Sequence, residues 1–170
     1  SAAEALGGIG SAPAIAALDA AFKNPATPAA VRQSAAIGLG RSGSPAVIPT
    51  LVRALGDPDG NVESAASAAL LAPTLAPSAI TPLIASFNQA TPVPFNASQT
   101  LARMGNGAVP QLEAAAKSAN PQTQTWAAVT LGQTDSKDPK IVAALTPLTK
   151  SGNPQVQFAA AQAINRLSGS

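Results

Sequence analysis

Apolar positions along this chain recur with the period of a helix, in short blocks separated by proline-led turns. Across "VRQSAAIGLGRSG", residues 31–43, Val31, Ala35 and Leu39 repeat every four residues and would share one helix face. "SPAVIPTLVRALGD", residues 44–57, follows with Val47, Ile48, Leu51 and Leu55 at helical spacing again. The blocks break at "KNP" 23–25, "GDP" 56–58, "ATP" 90–92, "ANP" 119–121 and "GNP" 152–154. Proline lacks the N–H that a helix interior needs but fits a first helical turn, so each break closes one helix and opens another. The pattern predicts an all-helical chain without strands. Its helices should fall near 2–9, 13–23, 28–41, 45–55, 60–72, 78–88, 93–104, 107–118, 121–132, 138–150 and 154–167.

The blocks are copies of one another. "VRQSAAIGLGRSG" has relatives in "AAEALGGIG" 2–10, "VESAASAALLAPT" 62–74, "VPFNASQTLARMG" 93–105, "TQTWAAVTLGQTD" 123–135 and "VQFAAAQAINRLS" 156–168. Before each of the five full segments lies a second amphipathic stretch, such as "PAVIPTLVRAL" 45–55 or "KIVAALTPLT" 140–149. The unit is helix, turn, helix, about 30–33 residues long. A half unit at 1–10 precedes units at about 11–43, 44–75, 76–105, 106–135 and 136–170, forming one array. The chain begins inside a unit and neither end carries a clear polar cap, which points to a piece of a longer protein.

"VRQSAAIGLGRSG" together with "SPAVIPTLVRALGDPDGNVESAASAAL", 44–70, resembles HEAT repeats of the short bacterial, phycobilisome-lyase type. The usual pattern there runs V-R-x-x-A-A-x-A-L-G-x-I-G, then a proline-led helix, then a D-P turn. The resemblance spans essentially the whole chain. It implies a right-handed α-solenoid of stacked antiparallel helix pairs, with the second helices lining a concave surface that binds a protein or peptide. It also implies that Arg32, the arginine of the V-R pair, reaches Asp57 in the next inter-helix turn. Glu63, Pro94, Gln124 and Gln157 stand at the equivalent place in later units, so the ladder of such pairs lapses. Stacking should be less uniform around 90–125, where "TPVPF" 91–95 should also distort the start of its helix. Lyases of this type attach bilins to other proteins, but nothing in the sequence marks a bilin site.

Letter for letter, "GLGRSG" at 38–43 is G-x-G-x-x-G, and Asp57 stands 19 residues after Gly38. A dinucleotide site requires a strand before those glycines and a helix opening after them. Here a helix precedes them, so they close it. Gly38 and Gly40 then serve close helix approach, as do Ala35, Ala36, Ala66, Ala97, Ala127, Ala128, Ala160 and Ala161, and Gly43 suits a left-handed residue past the helix end.

Composition narrows the chemistry further. The chain has no Cys and no His, which removes thiolate nucleophiles, histidine bases and the usual zinc ligands. "GDPDGNVE" gathers Asp57, Asp59 and Glu63 but is too short for a calcium loop, and Asp57 or Asp59 reads as a helix cap. The lysines sit mostly at helix ends. Only 11% of residues are charged, against about a quarter in a typical soluble chain, and net charge is +2. No Lys/Arg cluster suits nucleic acid, and no apolar run is long enough to insert in a membrane. A surface rich in Ser, Thr, Asn and Gln leans toward an exported protein. The reading is a non-catalytic scaffold without metal or cofactor; the alternatives are a spacer within a larger assembly and an accessory domain of a lyase-like or other enzyme.

Named binding residues come from the second helices. Counting the first residue of the repeated segment as zero, +3, +6 and +10 fall on one stripe with +2 beside it. They hold Gln33, Ser34, Ile37 and Arg41, then Ser64, Ala65, Ala68 and Ala72, then Phe95, Asn96, Gln99 and Arg103. Thr125, Trp126, Val129 and Gln133 follow, then Phe158, Ala159, Gln162 and Arg166. Phe95, Trp126 and Phe158 would line an apolar groove in the last three units, with Arg41, Arg103 and Arg166 along one edge and Asn96, Val129 and Gln162 among the contacts. Alternatively the rings fill gaps beside small Ala and Gly neighbours. Solvent accessibility separates the two.

Overall fold

The computed structural model describes residues 11–24, 26–134, 136 and 138–169. Among them are ten α-helices and no strand. In chain order these are α1 (Ala12–Lys23), α2 (Ala29–Ser42), α3 (Ile48–Ala54), α4 (Gly60–Leu70), α5 (Ala76–Ala85), α6 (Val93–Met104), α7 (Val109–Ala115), α8 (Pro121–Leu131), α9 (Pro139–Leu145) and α10 (Pro154–Ser168). Single 3-10 turns extend α3 at its start and α5, α6 and α9 at their ends. The helix expected at 2–9 lies outside the described residues.

Local chemistry accounts for these boundaries. Proline occupies the first turn of α1, α3 and α5 to α10, where its missing N–H has no intrahelical partner to lose. Asp59, Asn120, Asp138 and Asn153 cap α4, α8, α9 and α10, accepting first-turn amides through their side chains. Pro92 and Pro94 of "TPVPF" sit at the cap and first turn of α6. The Thr91–Pro92 bond is cis, and the helix is regular from Val93 onward.

Odd-numbered helices form one layer and even-numbered helices the other, and the core runs between them. Leu39, Leu70, Leu101 and Leu131, all at +8 of their segments, are fully buried. They meet Leu18, Leu51, Leu83, Leu112 and Leu145 of the first helices in one continuous cluster. Each such leucine contributes about 1.5–3 kcal/mol of burial. Ala35, Ala66, Ala97, Ala127 and Ala160, all at +4, have no exposed surface. Ala161 differs from the expectation above: it is exposed, because +5 faces away from the preceding helices and no described residue covers it. The architecture is an α-solenoid.

Spacing between successive second helices is not uniform. The α2/α4 and α8/α10 pairs approach more closely than α4/α6 or α6/α8. A Cβ built on Gly40 would lie 2.6 Å from the Cβ of Ala69, and one on Gly132 would lie 2.6 Å from both Cα and Cβ of Ala163. In "GLGRSG", Gly40 thus lies at a helix end pressed against its neighbour, and Gly43 closes that helix at φ 62°. At the two wider junctions hydroxyls meet instead. Ser67 and Thr100 lie 2.9 Å apart and Ser98 and Thr130 2.8 Å apart, all four buried. Each threonine donates to a carbonyl one turn back, Asn96 or Trp126, so the serine is the donor within each pair.

Arg32 binds Asp57 through two hydrogen bonds of 2.7 and 2.8 Å and also donates to the Thr27 carbonyl. Asp57 accepts the Asp59 amide at 2.9 Å, while Asp59 itself caps α4. Burial works against the Asp57 charge, but the Arg32 hydrogen bonds, the Asp59 amide and Arg32's attraction outweigh it. Together they hold the carboxyl below its ordinary range.

Candidate functional site

The second helices α2, α4, α6, α8 and α10 carry the positions to which the sequence points, and helix geometry assigns each a direction. Positions +5 and +9 face the following second helix, as the Ser67–Thr100, Ser98–Thr130, Gly40–Ala69 and Gly132–Ala163 contacts require. Position +7 faces the preceding one. Positions +2, +6 and +10 lie between these contacts and stay open to solvent in most units. Ser64, Ala68, Phe95, Gln99, Arg103, Phe158, Gln162, Arg41 and Arg166 are exposed, and Gln33, Ile37, Ala72, Thr125, Val129 and Gln133 are partly so.

Position +3 is set lower than the open stripe and lines its hollows only where the side chain is small, at Ala65 and Ala159. Ala159 is buried there, and Ser34, Ala65, Asn96 and Trp126 are only partly exposed. The reason is that +3 leans toward the preceding helix. Asn96 donates its amide N–H to the Leu55 carbonyl at 2.7 Å, tying α6 to the end of α3. Trp126 reaches back between two phenylalanines, with ring centroids 6.4 Å from buried Phe87 and 6.4 Å, edge-on, from Phe95. Both residues therefore brace the array. Phe95, 50% exposed, and Phe158, 65% exposed, present their rings to solvent.

Among the described residues, hollows lie on the stripe at two places. The larger, about 630 Å³, sits between α2 and α4, floored by Ile37, Ala65, Ala68 and Ala72 and edged by Gln33 and Arg41. The smaller, about 120 Å³, is its counterpart between α8 and α10, bounded by Val129, Gln133, Ala159, Gln162 and Arg166. Sequence reasoning placed the groove in the last three units because the rings are there. The roomier hollow instead lies where side chains are small, since Ala65, Ala68 and Ala72 leave space that no ring occupies. A third hollow of about 440 Å³ opens on another face, lined by Asn106, Val109, Pro110, Ser136 and Asp138.

Charge on the stripe has one sign. Positions +2, +6 and +10 hold Arg41, Arg103 and Arg166 and no acid. The described ion pairs consume Asp19, through Lys23 and Arg53, and Asp57, through Arg32. Neither Arg41 nor Arg103 joins one, and Arg103 only approaches the Ser67 hydroxyl at 3.5 Å. Gln99 and Gln133 touch side chain to side chain at 3.5 Å, so amides continue the stripe between arginines. Among the described residues no three potential metal-ligating side chains cluster, and no helix is long and apolar enough to cross a membrane.

The profile of HEAT repeats matches residues 24–93 and 89–165. The chain belongs to the HEAT-repeat family. A second profile, the PBS lyase HEAT-like repeat, matches residues 1–24. No curated protein matches this HEAT-repeat chain significantly. Similar solved structures include an engineered protein, 21% identical over 99% of this chain and 89% of that one, at a TM-score of 0.40. A designed armadillo repeat protein in complex with the peptide (KR)4 is 18% identical over 91% of this chain and 82% of its own, at 0.41. Human deoxyhypusine hydroxylase in complex with glycerol is 19% identical over 99% and 78%, at 0.37. At such identities and scores none bears on what this chain binds.

Proposed function

We propose that this HEAT-repeat array is a non-catalytic scaffold that holds a segment of a protein partner along its second helices. The observation that carries the reading is the open stripe at +2, +6 and +10. It joins apolar floors at Ile37, Ala68 and Val129, exposed rings at Phe95 and Phe158, and an amide and arginine border. Apolar surface removed from water supplies affinity, and aromatic and Arg side chains are the anchors that interfaces favour. Side-chain amides can pair with the main chain of an extended segment, which has no intrachain partners for its own N–H and C=O groups.

A peptide-display selection on the immobilised chain tests this. Retained peptides should lose at least about 1 kcal/mol, roughly fivefold, on Ile37→Ser and on Val129→Ser. Ala143→Ser, on the exposed side of α9, should leave them unaffected. Peptides that ignore the stripe substitutions but fail on Ala143→Ser would place the ligand on the wrong layer and refute the proposal.

A further inference from the structure

Resting on that reading, the geometry points to an extended peptide with acidic side chains six residues apart as the ligand of the second-helix stripe, one acid for Arg41 and one for Arg103. Position +10 of the five repeated segments holds Arg41, Ala72, Arg103, Gln133 and Arg166, with Ala72 and Gln133 just past the ends of α4 and α8. Arginine thus recurs at every second unit, with a small or neutral residue between. Arg41 and Arg103 are exposed, belong to none of the described ion pairs, and share a stripe that carries no acid. That is charge complementarity to carboxylates and repulsion toward Lys or Arg. A guanidinium fork also suits a carboxylate in two-point contact.

Spacing follows from two lengths. Packed helices lie about 8–10 Å apart, so arginines two helices apart are separated by about 16–20 Å. An extended chain advances about 3.3 Å per residue, which covers that span in about five or six residues. Side chains alternate sides along such a chain, so only an even separation puts both acids on the arginine edge. Six satisfies both conditions. Between the acids, the Ile37, Ala65 and Ala68 floor takes apolar residues of the ligand.

The test uses the whole chain and three labelled twelve-residue peptides of alternating Val and Thr, measured by fluorescence anisotropy at low and high salt. The first carries Glu at its third and ninth positions, the second Lys at both, and the third Glu at the third and sixth. The first should bind tightest, weaken on raising salt, and lose about two- to fivefold with Arg41→Gln and again with Arg103→Gln, the range for exposed ion pairs. Arg103→Lys should recover part of that loss, and thermal unfolding of each variant should match the parent. The third peptide should bind more weakly than the first and respond less to the second substitution. Equal binding of all three peptides, with Ile37→Ser weakening each, would overturn the charge rule and leave the stripe as the binding face. Binding that is indifferent to Ile37→Ser would overturn the face itself.

Discussion

Replacing Arg32 by Ala should cost more than any other single change in charge. The Arg32 and Asp57 side chains are 12% and 6% exposed. Removing the guanidinium leaves Asp57 with the Asp59 amide and no counter-charge, and deleting one partner of a buried pair costs about 3–5 kcal/mol. A chain of this length shifts by about 2–4 °C in Tm per kcal/mol, so a melt followed by circular dichroism should move by about 6–20 °C. Repeat arrays are held by neighbour contacts, so the damage should stay local. Hydrogen exchange should quicken in α2 and at the α3–α4 turn while α8 and α10 keep their protection. Arg32→Met with Asp57→Leu should recover much of the loss, because two apolar groups leave no orphaned charge. The pH dependence has a fixed sign. Asp57's folded pKa lies below its unfolded value of about 3.9, so the pair's stabilisation is complete above that value. The gap between parent and Arg32→Ala should close as pH falls through the lower, folded value. A loss under about 1 kcal/mol, or a gap that widens in acid, would refute the assignment.

Other substitutions test other joints. Trp126→Ala should cost about 2–3 kcal/mol in denaturant unfolding, since the ring is held between Phe87 and Phe95, whereas Phe158→Ala should stay within about 0.5 kcal/mol. Gly132→Ala should cost about 1–3 kcal/mol because its Cβ meets the backbone of Ala163; Gly107→Ala, which meets nothing within 4 Å, should be neutral or slightly stabilising. Thr130→Val should cost about 1–3 kcal/mol by stranding the buried Ser98 hydroxyl, and adding Ser98→Ala should restore most of it.

Much of this fold was legible because its punctuation is chemical. Proline in first turns, Asn or Asp at caps, Ala at +4 and Leu at +8 each have one physical use, and they recur in register. The Arg32–Asp57 pair followed from the family pattern, and Asp59 resolved as the cap. What escaped depends on how far neighbouring helices are offset, which a period of 3.6 does not encode. Positions +2 and +3 are adjacent on the helix surface, yet +2 opens Phe95 and Phe158 to solvent while +3 turns Asn96 and Trp126 toward the preceding unit. The serine–threonine pairs escaped too, although Ser67 and Thr100, and Ser98 and Thr130, stand 33 and 32 residues apart, one repeat. Hydroxyls recurring at the repeat period on packed positions were the available signal. The α2/α4 hollow was missed because absence of bulk at Ala65, Ala68 and Ala72 is less conspicuous than the presence of a ring.

Function here depends on which face holds the ligand, and a photo-crosslinking map reads that directly. A benzophenone placed at the centre of the tightest of the three defined peptides, followed by mass spectrometry of the adducts, reports the residues beneath it. Adducts are expected at +2, +6 and +10 of neighbouring second helices, at residues such as Ile37, Ala68, Phe95 and Gln99, competed away by unlabelled peptide. Adducts concentrated on α1, α3, α5, α7 or α9, with the second helices unlabelled, would contradict it.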